Sequence, residues 1–164
     1  THPCPSISEE LRFTRGIPGF LEKLNEKIGN TDDGKMVLPT EAQWEYACRA
    51  GEPGPYSGGT IDEVAWYWDN SEDETHPVGM KKSNAWGLYD MHGNVWEWCA
   101  DWYDAELQGG VDPSGPASGS FRVLRGGCWD GNADHCRAAG RNAGTSSRTF
   151  SNILGFRMAR SSVP

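Results

Sequence analysis

The run Gly87-Leu88-Tyr89-Asp90-Met91-His92-Gly93-Asn94-Val95-Trp96-Glu97-Trp98-Cys99 holds the densest set of chemically capable side chains in the sequence. It packs three aromatics, two acids and two glycines into thirteen residues. Aromatics that dense cannot all face water, because each buries roughly 150–250 Å² in a core. The acids between them sit beside buried surface and need partners. Carboxylates fixed between tight glycine turns suit a cation site or the wall of a ligand site. Thiols are the other reactive groups: Cys4, Cys48, Cys99, Cys128 and Cys136. Their spacings match no paired-CxxC zinc pattern, and an odd count leaves at least one thiol free. The redox compartment stays open.

These residues need elements to position them. Phe20 to Ile28 repeats apolar residues at helical spacing, and Gly29 follows as a stop. Thr40 is a helix N-cap with Gln43 at the capping-box position, so a second helix is predicted from Glu41 to Arg49. Trp44, Ala47 and Cys48 share its core face. Residues 51–84 are rich in Gly, Pro, Ser and acids and read as a long loop, anchored by Trp66 and Trp68. Residues 104–120 form another loop, with Pro113, Gly115, Pro116 and Gly119 as turn markers. Phe121 to Arg125 has strand character, and a last strand is expected from Gly155 to Ala159. His2, His76 and His92 read as surface or hydrogen-bonding groups.

Composition bounds the rest. The 164 residues are most simply one domain with chain enough for a real core. Eight Trp and 21 Gly suggest loops pinned by large aromatic anchors rather than a helical bundle. A net charge of -8 argues against nucleic acid, which requires basic patches. No apolar run approaches the ~20 residues of a membrane helix, and no charged-then-apolar leader opens the chain.

Four motifs occur in order: Pro39-Thr40-Glu41-Ala42-Gln43-Trp44-Glu45-Tyr46-Ala47, then Gly87 to Trp98, then Arg122-Val123-Leu124-Arg125-Gly126-Gly127, then Gly155-Phe156-Arg157. The series resembles the formylglycine-generating-enzyme family, also called the sulfatase-modifying-factor domain, over roughly residues 36–160. The resemblance implies an α+β, C-type-lectin-like fold, loop-rich, with two short helices and small antiparallel sheets. It does not by itself imply the enzyme activity. The family's oxidases use two copper-holding cysteines five positions apart after the Gly-Gly pair. Aligned from Gly126-Gly127, the second falls on Cys136 and the first on Gly131, which offers no thiol. Cys128 lies three residues early; a shifted site using Cys128 and Cys136 is the weaker alternative to Cys136 as a buried small residue beside Trp129. The expectation is therefore no catalytic residue, no formylglycine-generating activity and no copper.

The resemblance also implies calcium, held by the Asp90 side chain, the Gly93 and Val95 carbonyls and the Glu97 carboxylate. The alternative has Asp90 capping a turn and Glu97 paired with an arginine. The family's other calcium site needs an Asn near the position of Trp66 and is not placed here.

Residues 128–154 contain no Lys, Glu, Gln or Met, whereas the first 127 residues contain 22 of them. Codons ending in cytosine encode none of these four, and mutating the adenines of an AAC codon yields such a set. The segment resembles the cassettes that diversity-generating retroelements mutate in proteins of this fold. Their framework matches Gly126-Gly127, Trp129, Ala133, Cys136-Arg137, Ala139, Arg141, Arg148 and Gly155-Phe156-Arg157. Between those posts lie the expected ligand-binding positions: Asp130, Gly131, Asn132, Asp134, His135, Gly140, Asn142, Ala143, Gly144, Thr145, Ser147, Thr149, Phe150, Ser151 and Asn152. His135 and Phe150 would be natural contact residues. The resemblance thus implies a variable protein that binds a protein or other cell-surface ligand, displayed on a cell or virion surface. The alternatives are a formylglycine-generating-type oxidase and a fixed, non-catalytic domain of the same family.

Overall fold

Thr40 starts its helix as the local signals require. Its hydroxyl accepts from the Gln43 amide at 3.2 Å, and the Gln43 side chain accepts from the Thr40 amide at 3.1 Å. The computed structural model describes residues 13–29, 34–107, 109–145 and 151–161. It contains α1 (Phe13–Ile28), β1 (Met36–Val37), α2 (Glu41–Arg49), α3 (Ile61–Val64), β2 (Ala65–Trp66), β3 (His92–Gly93) and β4 (Trp96–Trp102). Then follow β5 (Phe121–Arg125), the 3₁₀ turn η1 (Ala133–Cys136), β6 (Arg141–Thr145), β7 (Leu154–Gly155) and β8 (Ala159–Arg160). Helix α1 begins seven residues before the expected start and runs through Pro18, forgoing one main-chain bond. The side chain of Asn25 clamps it to β1, exchanging hydrogen bonds with the Met36 amide and carbonyl.

The main sheet has the order β6-β5-β4-β7, antiparallel except for the parallel β4–β7 pair. Successive side chains on β4 and β5 point to opposite faces, and both faces are covered. Cys99 and Val123 meet Trp44 and Cys48 of α2. Trp96, Trp98 and Leu124 pack on the other side with Cys128, where Ile17 of α1 and Leu38 join them. A smaller cluster of Val64, Ala65, Tyr67 and Cys136 seats α3.

Three expectations need correction. The predicted loop over 51–84 contains α3, started by Thr60, whose amide donates to the Glu63 carboxylate at 2.8 Å. Trp68 is not an anchor: it is 58% exposed, and its backbone amide rather than its ring makes the contact, donating to the Gly131 carbonyl. The last strand is two short ones in different sheets, β7 on β4 and β8 on β1. Arg157, between them, turns to Glu97 instead of continuing a ladder.

Candidate functional site

Glu97 lies on the α2 side of β4 and is 6% exposed. Its carboxylate accepts from Trp44 Nε1 at 2.7 Å and from Arg157 Nε and Nη2 at 2.5 and 2.8 Å. The Arg157 guanidinium continues to the carbonyls of Tyr89 and Asp90. Asp90, at φ 55°, accepts the Gly79 amide at 2.7 Å. Gly93 lies so close to β2 that a Cβ there would stand 2.1 Å from the Trp66 carbonyl oxygen, which excludes any side chain. Asn94 exchanges two hydrogen bonds with the His76 backbone. The central run thus spends its polar groups on holding loops.

Of the expected calcium ligands Asp90, Gly93, Val95 and Glu97, the two carboxylates already have protein partners. Both Glu97 oxygens accept from the Arg157 guanidinium, and Asp90 accepts a loop amide. Among the described residues no three His, Cys, Asp or Glu side chains gather to hold a metal ion.

The thiols are structural in character. Cys48, Cys99, Cys128 and Cys136 are all buried and free, and Cys4 lies outside the described residues. Burial pushes Cys48 and Cys136 up to about 12 and raises Cys128 and Cys99. Protonated, enclosed thiols are poor nucleophiles. Cys136 packs with Val64, Ala65 and Tyr67. A Cβ at Gly127 would stand 2.6 Å from its sulfur, so the Gly-Gly pair makes room for it. Gly131 supplies no thiol at the position expected for the first copper-holding cysteine, while Cys128 and Cys136, the pair of the shifted alternative, lie within electrostatic reach of each other.

The segment after Gly127 is held mainly by residues outside it. Arg125, fully buried, donates to the carbonyls of Ala138 at 2.8 Å and Gly140 at 2.6 Å, while pairing with Glu45 at 2.5 Å. His92 Nδ1 lies 2.7 Å from the Cys136 carbonyl, and its Nε2 accepts the Ser57 amide at 3.0 Å. Nδ1 therefore carries the proton of a neutral ring. Burial lowers the His92 pKa and keeps the ring neutral. The Ala138 amide donates to Pro55, the Tyr56 hydroxyl to the Ala133 carbonyl, and the Trp129 amide to Asn94. Arg141 forks onto Glu41 at 2.6 and 2.8 Å.

Against this frame, Asp130, Asn132, Asp134, His135, Asn142 and Asn152 are exposed, and Ala143, Thr145 and Ser151 are half-buried. Asn132 also caps η1, accepting from the His135 amide. Ser147, Thr149 and Phe150 lie outside the described residues.

Two glycines among the expected positions leave no room for a side chain. A Cβ at Gly144 would stand 2.3 Å from Trp98 and one at Gly140 2.5 Å from the His135 carbonyl oxygen, whereas one at Gly131 would meet the Cys128 carbonyl oxygen at a tight 3.2 Å. The framework also shifts. Ala138 and Cys136 are fully buried, whereas Arg137 and Ala139 face solvent.

Residues 21–162 match the model of the sulfatase-modifying factor enzyme 1-like domain. The chain belongs to this family. Among its relatives, the formylglycine-generating enzyme of Streptomyces coelicolor is 39% identical over 144 residues, 74% of this chain and 46% of that protein. Serine/threonine-protein kinase pkn1 of Chlamydia caviae is 42% identical over 133 residues, 75% of this chain and 21% of that protein. Among solved structures, Treponema denticola variable protein 1 superposes with a TM-score of 0.72 at 45% identity, over 77% of this chain and 48% of that one. PvdO from Pseudomonas aeruginosa gives 0.75 at 29% identity, over 87% and 57%. The chain thus spans under half the length of the two curated relatives. The expected α+β, formylglycine-generating-enzyme-like fold is the one these structures share. No helix among the described residues is long and apolar enough to cross a membrane.

Proposed function

We propose that this chain is the ligand-binding variable protein of a diversity-generating retroelement. It presents the side chains of residues 130–152 to a protein or other cell-surface ligand, from a cell or virion surface, and does no chemistry on it. One observation carries the reading. The backbone after Gly127 is tied by Arg125, His92, Tyr56 and Pro55, all outside the segment, while Asp130, Asn132, Asp134, His135 and Asn142 project to solvent. Side chains on a frame anchored elsewhere can be exchanged at little cost in stability. The 45% identity to Treponema denticola variable protein 1 supports it.

Deep sequencing of the coding region for residues 120–160 across the source population tests the reading. Substitutions should fall at the exposed positions, at template adenines, with Gly140 and Gly144 left unchanged. A uniform sequence refutes it and leaves a fixed domain. The 39% identity to the Streptomyces coelicolor enzyme favours a second reading, a formylglycine-generating-type oxidase. Glycine at position 131 and the buried thiols argue against it. Turnover of a sulfatase-motif peptide in the presence of copper would establish it.

A further inference from the structure

Trp68 stands in water beside the segment that carries the proposed variable positions. It is 58% exposed, although an indole is among the side chains that gain most from burial. The turn beneath it is firmly held. Tyr67 is 6% exposed, and its amide donates to the Asn70 side chain at 2.9 Å. The Asn70 side chain donates back to the Ala65 carbonyl at 3.1 Å, and the Ser71 amide to the Tyr67 carbonyl at 2.9 Å.

The same turn is stitched to the display segment. The Trp68 amide donates to the Gly131 carbonyl at 2.9 Å, and the Ser71 hydroxyl to the Trp129 carbonyl at 3.0 Å. Trp129 Nε1 in turn donates to the Asn152 carbonyl at 3.2 Å. Residues 67–71, 129–131 and 152 therefore form one patch, with Trp68 set next to the exposed Asp130 and Asn132. None of these ties uses the Trp68 ring. Among the described residues no other ring and no cation packs on it. A rigid indole held out in this way loses little entropy when a partner covers it, and tryptophan is enriched among the residues that dominate protein interfaces.

We propose that Trp68 is a constant contact residue of the ligand-binding face, and that the ligand lays over it a protein segment bearing Arg or Lys beside apolar residues. The inference rests on the display reading above and extends it. Trp68 lies outside residues 130–152, so it is common to every variant while Asp130, Asn132 and His135 change around it. The indole supplies contact area and attracts a cation over its face. Charge selects the kind of segment: Asp69 and Asp130, both exposed and beside the indole, have no Lys or Arg at ion-pair distance among the described residues, which favours a basic partner over an acidic one.

The test pans a phage-displayed random dodecapeptide library on the immobilised full chain and measures the enriched peptides by fluorescence polarisation. Peptides with Arg or Lys next to an apolar residue should be enriched, and their binding should weaken as salt is raised. Trp68→Ala should weaken them at least about tenfold, and Trp68→Phe by less. Neither should change the thermal unfolding midpoint, because the turn is tied through other atoms. Asp130→Ala should weaken the same peptides several-fold, and Tyr46→Ala, exposed on α2, should leave them unchanged. No enriched peptide, enrichment without Arg or Lys, or binding indifferent to Trp68→Ala each overturns the proposal. Loss on Trp68→Ala with none on Asp130→Ala puts Trp68 on a separate face and overturns it as well. Glycan-array binding that Trp68→Ala abolishes overturns the protein ligand. Population sequencing keeps the two readings apart: a varied segment with Trp68 replaced by polar residues overturns this inference alone, whereas a uniform segment overturns the display reading.

Discussion

Gly144 separates the residues that can change from those that cannot, and Gly144→Ala measures the difference. In β6 the position faces Trp98 across the sheet. A Cβ there would lie 2.3 and 2.7 Å from two Trp98 ring carbons and 3.0 Å from Leu124 Cδ1, where ordinary contact begins at 3.4 Å. The methyl group is thus about 1 Å too close to a ring that is 3% exposed and wedged between neighbours. Neither partner is a flexible chain end, so β6 must move or the indole must leave its place. Overpacking of this kind costs about 1–3 kcal/mol, less a few tenths because alanine suits a strand better than glycine. In a domain of this size that lowers Tm by about 3–10 °C. The assay is thermal and urea unfolding followed by tryptophan fluorescence, with Asn142→Ala as the control. Asn142 is exposed two residues away, and its variant should stay within about 0.5 kcal/mol of the parent. A Gly144→Ala protein as stable as the parent would refute the packing of β6 on Trp98, and with it the division between framework and display.

Three further outcomes follow from the same structure. His92 is neutral in the fold because burial lowers its pKa from 6.5. The stability it contributes is complete above the unfolded value of 6.5 and is lost as pH falls below that through the lowered folded value. The stability difference between parent and His92→Gln, measured in urea at pH 7.5 and 5, should therefore shrink at pH 5. The difference cancels Asp101, whose burial raises its pKa and favours the fold in acid; a difference unchanged with pH would refute a buried neutral His92. Arg125→Met removes a fully buried guanidinium from Glu45 and two carbonyls, and should cost about 3–5 kcal/mol or prevent soluble expression; a near-neutral result would show that the ties to Ala138 and Gly140 are dispensable. Because Arg157 holds both Glu97 oxygens, millimolar calcium and chelator should each leave Tm unchanged, and a saturable rise with calcium would show that a metal displaces the guanidinium.

Local chemistry was legible in the sequence. The Thr40–Gln43 capping box set α2 at Glu41–Arg49, and the β-branched and aromatic run set β5 at Phe121–Arg125, because their signals lie within a turn or a strand of the elements they start. Thr60 and Glu63 carried the same signal for α3 and were hidden by a loop-like composition. The ordered motifs sufficed for the family and fold, since each is a short contiguous string. Which groups meet was decided only by tertiary structure. Glu97 and Arg157 lie 60 residues apart, and whether a carboxylate faces a guanidinium or a calcium ion depends on where the chain returns. Gly144 looked as free to vary as Asn142 until β6 was laid against Trp98. Sequence encodes propensity within a few residues; burial, clash and charge compensation are properties of neighbours in space, and these chose the residues that hold the frame and those left to bind.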